Sequence, residues 1–185
     1  MSKVIAAINM TLDGNCDHTK GIADEELHDH YADLIETSGS VLYGRKTFEL
    51  MKFWQSLVSK PSGERALDDF ARSINKVPKL VFSNSLKNTE WETAKISDCT
   101  LIETIEKLKT DTDKDILIGS RSLIIQALNQ NLVDEFQLCI HPMIAGKGIM
   151  LFDKISISIS LQLTRTKEFN SGAIVLFYEP KNRIR

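Results

Sequence analysis

Gly44-Arg45-Lys46-Thr47 has the residue types and the spacing to hold an anion. A short apolar run, Val41-Leu42-Tyr43, ends at Gly44, and a helical pattern follows it. A strand that turns directly into a helix presents N–H groups with no internal partner, at the electropositive end of the helix dipole. Gly44 lets a ligand approach the backbone. Arg45 adds a planar fork that fits a phosphate with two parallel bonds, and Thr47 adds a hydroxyl donor. The chemistry suggested is the gripping of a phosphate, as on a nucleotide. The same four residues also read as an ordinary turn with a solvated Arg-Lys pair, and the motif alone does not decide between the two.

The elements that must position this turn follow from hydrophobic periodicity. Residues 3–10 form a nearly continuous apolar run, which predicts a strand buried on both faces. Asp13-Gly14 marks a turn, and 14–23 is a polar loop of the kind that carries ligands at a strand's carboxyl end. A helix is predicted over 24–37, with Asp24 as N-cap and Leu27, Tyr31, Leu34 and Ile35 on one stripe. Strand 40–44 and helix 46–53 carry the anion turn, a loop follows over 55–63, and a helix over 64–75. Strand 79–82 ends in Ser83-Asn84-Ser85, and a short strand is predicted around Trp91 over 89–96. Leu101, Ile102, Ile105 and Leu108 mark a helix, and 110–115 is a charged turn. Ile116-Leu117-Ile118 then ends in Gly119-Ser120 before a helix over 121–131. The strand, small-residue turn and helix of 41–48 therefore recur at 116–124. In the last third, 136–141 and 155–169 alternate, a Gly-rich loop runs from Pro142 to Gly148, and Asn170-Ser171-Gly172 signals a hairpin before 173–178. The fold expected is α/β, a three-layer α/β/α domain whose mixed sheet is mostly parallel with a C-terminal antiparallel hairpin.

Composition narrows the function classes. A chain of 185 residues favours one domain with a core of its own. With 42% hydrophobic and 26% charged residues and a net charge of -2, nothing draws it to nucleic acid or to a membrane surface. Three widely spaced cysteines, Cys16, Cys99 and Cys139, argue against a disulfide framework and against a zinc site, and fit a reducing cytoplasmic setting. His141 has no ligand partners near it in sequence, so no metal is expected.

Four stretches carry a resemblance to a known family. They are Met10-Thr-Leu-Asp-Gly14, Leu42-Tyr-Gly-Arg-Lys-Thr-Phe48, Ile116-Leu-Ile-Gly-Ser120, and Asn131-Leu-Val-Asp-Glu-Phe136 running on to Pro142-Met-Ile-Ala-Gly-Lys-Gly-Ile-Met-Leu-Phe152. Over nearly its whole length the chain resembles the dihydrofolate reductase-like fold, and within it the reductase domain of the riboflavin-biosynthesis deaminase–reductase (RibD C-terminal) family. That resemblance implies an NADPH-dependent reductase. It implies that Gly44, Arg45, Lys46 and Thr47 grip the adenosine 2′-phosphate and pyrophosphate, that Ser83 and Asn84 help hold the adenosine end, and that Gly119, Ser120, Arg121 and Ser122 lie under the pyrophosphate. The family has two glycines where this chain has Gly119-Ser120, which puts a side chain beside that pyrophosphate. The zinc deaminase pattern of the bifunctional enzyme is absent from the sequence, so a stand-alone reductase is expected.

Hydride transfer needs a pocket for the nicotinamide and a proton source for the acceptor. Dihydrofolate reductases carry an acid on the helix matching 24–37; here the rough alignment offers His28 instead of a clear carboxylate. Asp13 and His28 are the catalytic candidates, with Asp29 and Tyr31 beside them. Asp13 also reads as half of a turn pair, His28 and Asp29 as solvated helix residues, and Tyr31 as core with its hydroxyl at the edge. The lack of a clean acid argues against folate as substrate, though a reductase can draw its proton from water. Gly146, Lys147 and Gly148 are expected in a loop over the substrate, with Lys147 either an anion ligand or a solvated loop tip. A pterin- or flavin-precursor-like heterocycle is the substrate class expected. A nucleotide-binding dimer module without turnover is the alternative, and a purely structural dimer a third. The alternating segments at 136–141 and 155–163 offer an edge that a homodimer would cover.

Overall fold

The computed structural model describes residues 2–22 and 24–181, so Ala23, at the end of the predicted polar loop, lies outside the described residues. Eight strands form one sheet: β1 (Val4–Thr11), β2 (Ser38–Gly44), β3 (Lys79–Phe82), β4 (Ala94–Ile96), β5 (Asp115–Ile118), β6 (Glu135–His141), β7 (Leu161–Glu168) and β8 (Ile174–Pro180). Their spatial order is β4-β3-β2-β5-β1-β6-β8-β7. Pairing is parallel from β4 to β6, and antiparallel where β8 meets β6 and β7.

Helices α1 (Glu25–Thr37), α2 (Arg45–Ser59) and α3 (Arg65–Lys76) cover one face, and α4 (Leu101–Asp111) and α5 (Arg121–Asn129) the other. The central strand shows why. Val4 and Ala6 pack with Leu101, Ile105, Ile124 and Ala127, whereas Ile5 and Ala7 pack with Ile35, Phe48, Phe70 and Ile74. A strand with helices on both faces must be apolar on both. Asp24 caps α1 by accepting the Leu27 N–H at 2.7 Å, and Thr100 and Glu103 form a capping box on α4.

Three local expectations change. The helix predicted over 46–53 runs on to Ser59, because its outer face is solvated and tolerates Gln55, Ser56 and Ser59. It ends at Lys60 because Pro61 disfavours helical backbone in the residue before it. The strand predicted over 89–96 shrinks to Ala94–Ile96. Glu90 takes φ 53, and the Trp91 indole turns inward to donate to Asn75 Oδ1 at 2.8 Å. The strand predicted over 155–169 begins only at Leu161. Asn129 intercepts the chain before it, accepting the Ser156 N–H at 3.0 Å and donating to Lys154 O at 3.1 Å.

Candidate functional site

The parallel strands β1, β2, β3, β5 and β6 deliver their following loops to one edge of the sheet. β2 and β5 are neighbours there, yet α2 leaves β2 toward one face and α5 leaves β5 toward the other. Such a divergence opens a crevice at the carboxyl ends of the strands, where open α/β sheets bind ligands. Both helices begin at that crevice, and neither N-terminus is capped by its N-cap side chain. Gly44 donates its N–H to Ser120 Oγ at 2.8 Å, which ties the two turns together. Ser120 is 1% exposed and sits at φ -118, so its side chain is turned into the protein and does not crowd the crevice.

Contact limits what can replace the glycines here, most strictly at Gly119. A Cβ on Gly119 would stand 2.9 Å from the Tyr43 ring, and one on Gly44 would stand 3.0 Å from Ser122 Oγ. Arg45 and Lys46 are exposed at the start of α2, and Thr47 is half-buried. Among the described residues Arg45 pairs with Glu49 alone, one turn on at 2.9 Å. An exposed pair of this kind contributes about 0.3–0.5 kcal/mol, so the guanidinium yields readily to a phosphate. Ser122 is exposed beside Gly44. Arg121 is committed elsewhere: its Nε donates to Met150 O at 2.9 Å, and its guanidinium pairs with Asp153. It therefore ties α5 to the loop after β6. Ser83 Oγ accepts the Ser85 and Leu86 N–H groups at 3.2 and 3.0 Å, leaving Asn84 exposed at the tip of the β3 turn.

The loops after β1 and β6 are laced together. Backbone bonds join Leu12 N to Met143 O at 2.9 Å, Cys16 N to Ile149 O at 2.7 Å, and Leu151 N to Gly14 O at 2.9 Å. The Asp13 carboxylate accepts the Thr11 hydroxyl and the N–H groups of Ala145 and Gly146, the latter two at 3.1 and 2.7 Å. These donors, Thr11 first, hold its pKa below the usual carboxylate range. Ionised and bonded in this way, the Asp13 carboxylate clamps the loop after β6 to the loop after β1. Gly146 lends its N–H to that clamp at φ +75. Gly148 is shaped by Asn15, whose side chain occupies the space that a Cβ would need. Both glycines thus have structural tasks, while the Lys147 side chain is exposed and without a salt-bridge partner among the described residues.

The helix candidates divide. His28 Nδ1 lies 2.8 Å from Asp24 O, and its ring meets Trp54 and Phe70 edge-on, so it belongs to an aromatic seam between α1, α2 and α3. Asp29 bonds the Arg65 guanidinium at 2.8 and 3.0 Å, which lowers its pKa. Tyr31 points to the sheet instead and donates its hydroxyl to Asn9 Oδ1 at 2.8 Å. His141 is buried, and its Nδ1 accepts the Ile22 N–H at 3.1 Å, anchoring the loop after β1. Burial lowers its pKa, as a neutral acceptor requires.

Sequence reading passed over Asn9 and Asn15. Asn15 is fully buried, but its partners at Lys147 and Ile149 lie more than a hundred residues away in the chain, so no local pattern marks it. Asn9 had a signal: it is a polar residue inside an otherwise apolar strand.

Comparison with known proteins agrees with this fold. The model of the RibD C-terminal domain matches residues 2–175. The uncharacterized protein YyaP of Bacillus subtilis is 32% identical over 180 residues, covering 95% of this chain and 94% of that protein. Among solved structures, a putative riboflavin biosynthesis protein from Shewanella superposes with a TM-score of 0.74 at 18% identity, covering 97% of this chain and 99% of that one. A diaminohydroxyphosphoribosylaminopyrimidine deaminase/5-amino-6-(5-phosphoribosylamino)uracil reductase from Thermotoga maritima superposes with a TM-score of 0.66 at 19% identity, covering 97% of this chain and 56% of that longer one.

Proposed function

The chain belongs to the RibD C-terminal domain family, and we propose that it is an NADPH-dependent reductase of the cytoplasm acting on a small heterocycle of the pterin or flavin-precursor kind. One observation carries this reading. The uncapped N-termini of α2 and α5 meet at neighbouring strand ends, joined by Gly44 and Ser120, with Arg45 exposed beside them. Two helix ends with free N–H groups and an adjacent guanidinium suit a pyrophosphate and a further phosphate.

In this reading Gly44, Lys46, Thr47, Gly119 and Ser122 hold the pyrophosphate, and Arg45 holds the 2′-phosphate. Ser83 and Asn84 flank the adenosine end, and Lys147 faces an anionic group on the substrate. The bound cofactor supplies the hydride. The protein orients the two rings at the carboxyl end of β1 and keeps the loops above them rigid through Asp13 and Asn15. With Asp13 and Asp29 both engaged as carboxylates, the proton comes from water. The uracil reductase named in the Thermotoga protein supports the substrate class.

The same engaged carboxylates favour a second reading, a nucleotide-binding module without turnover. The two separate on incubation with NADPH and either 5-amino-6-(5-phosphoribosylamino)uracil or a dihydropterin. Loss of the reduced-nicotinamide absorbance with matching product supports the reductase. Binding without oxidation leaves the module. We also propose a homodimer, since β7 is exposed along nearly its whole length and forms one edge of the sheet; sedimentation at monomer mass would rule it out.

A further inference from the structure

Asn9 is out of place for its strand. β1 lies between β5 and β6, where side chains are ordinarily covered, yet Asn9 is exposed. The topology explains it. The β5 pairing ends at Ala6↔Ile118, whereas the β6 pairing continues to Thr11↔His141. From Ala7 onward β1 therefore has an open flank, facing the turns that end β5 and β2. Side chains alternate along a strand, so Asn9 projects to the face of Ile5 and Ala7, on which α1 lies. It stands about 7 Å along the strand beyond the level of Gly119, close enough to share a ligand with that turn.

The amide is also oriented. Tyr31 is set among apolar groups on α1, packed against both the main core and the Cys139, Phe169 and Phe177 cluster. Its phenol stays protonated there and needs an acceptor, and Asn9 Oδ1 at 2.8 Å is that acceptor. With the oxygen held, the N–H groups of Nδ2 have no acceptor among the described residues, on a residue that is exposed. The floor of the crevice thus presents two N–H donors. An aspartate at this place would present only acceptors.

We propose that Asn9 is the specificity residue of this site: its Nδ2 donates to a ring carbonyl of the substrate, and Tyr31 is the positioning residue that fixes the amide in that sense. The assignment rests on the reductase reading and deepens it. Two probes with one ring and opposite polarity test it. In 5,6-diaminouracil the ring carries carbonyl acceptors, and in 2,4,5,6-tetraaminopyrimidine amino donors replace them.

With saturating NADP⁺, the wild-type protein is expected to bind the diaminouracil about 10–100-fold more tightly, the range of one buried hydrogen bond made or left unmet. Asn9→Asp is expected to reverse the preference. Tyr31→Phe is expected to reduce it to a few-fold, with NADP⁺ affinity and melting temperature little changed. A purely structural role for Tyr31 would move the melting temperature and leave the preference intact. In ¹⁵N-labelled protein the Asn9 side-chain NH₂ signals, identified by their loss in Asn9→Asp, should shift with the diaminouracil and not with NADP⁺ alone. A shift that saturates with NADP⁺ alone, or equal affinity for the two probes, overturns the assignment while the reductase reading stands. Failure to bind NADP⁺ at all overturns both.

Discussion

Replacing Gly148 with alanine adds one methyl group, and the structure says where it goes. The new carbon would lie 1.9 Å from Asn15 Nδ2 and 2.6 Å from its Cγ. Gly148 is not in the left-handed region, so the effect is steric and owes nothing to backbone strain. Asn15 is fully buried and cannot swing into solvent without leaving its partners: Lys147 O at 3.2 Å, Asp17 N–H at 3.0 Å and Ile149 N–H at 3.2 Å. Each bond contributes about 1 kcal/mol net, and a buried donor left unmet costs about 1–3 kcal/mol. The Asp13 clamp and the backbone bonds between the two loops survive and limit the damage. The expected loss is therefore about 2–4 kcal/mol, a fall in melting temperature of roughly 5–12 °C for a chain of this size. Gly146→Ala is the control. It has φ +75 but nothing within 4 Å of its Cβ, so only left-handed strain of about 1–2 kcal/mol applies. Thermal melts of both variants, and of Gly148→Ala combined with Asn15→Ala, decide the matter. The double variant should lose much less than the sum of the singles. A Gly148→Ala protein melting within about 2 °C of wild type, or strict additivity with Asn15→Ala, would show that Asn15 does not restrict this position.

Other expectations concern buried groups. Burial chiefly, with Lys167 and Arg165 next, pushes the His30 pKa down to about 4, against about 6.5 in the unfolded chain. The unfolded chain takes up the proton first, so this stability is present above pH 6.5 and is lost as the pH falls toward 4. Denaturation at the two ends of that window should differ by about 2–3 kcal/mol more in wild type than in His30→Gln. Burial likewise pushes Lys79 down to about 7, so unfolding free energy should rise between pH 7 and 10, the unfolded chain holding the extra proton. Its amine donates to Val77 O and Thr93 Oγ1 at 2.8 and 2.7 Å, which limits the rise to roughly 1–3 kcal/mol, and Lys79→Met should flatten it. Gly119→Ala drives a methyl group into the buried Tyr43 ring at 2.9 Å. A loss of about 1–3 kcal/mol is expected by calorimetry, along with weaker NADP⁺ binding.

Much of the fold could be read from periodicity because its strands are short apolar runs and its helices carry clear stripes. The turn at Gly44 and its repeat at Gly119 were legible for the same reason: each is a local strand-to-helix junction. What escaped is non-local. The clamp made by Asp13 shows only when Ala145 and Gly146, in another loop, donate to it. Gly148 reads as a substrate-loop glycine until Asn15 fills its space. Arg121 reads as part of a local turn, and its ties to Met150 and Asp153 are invisible from that stretch. In each case the deciding partner is far away in sequence, where no periodicity reaches. Asn9 differs, since its exposure follows from β5 ending short of β1, a property of the sheet and not of any one stretch.

In the proposed reading the turn from β2 to α2 holds the 2′-phosphate of NADPH. A paired titration with NADPH and NADH, followed by quenching of Trp54 and Trp91 fluorescence in wild type and in Arg45→Ala, tests this. NADPH should bind more tightly than NADH to wild type, and Arg45→Ala should weaken NADPH by about 1.5–3 kcal/mol, the contribution of a charge-assisted hydrogen bond, while leaving NADH unchanged. Equal binding of the two cofactors, or an equal loss of both in Arg45→Ala, would contradict the claim.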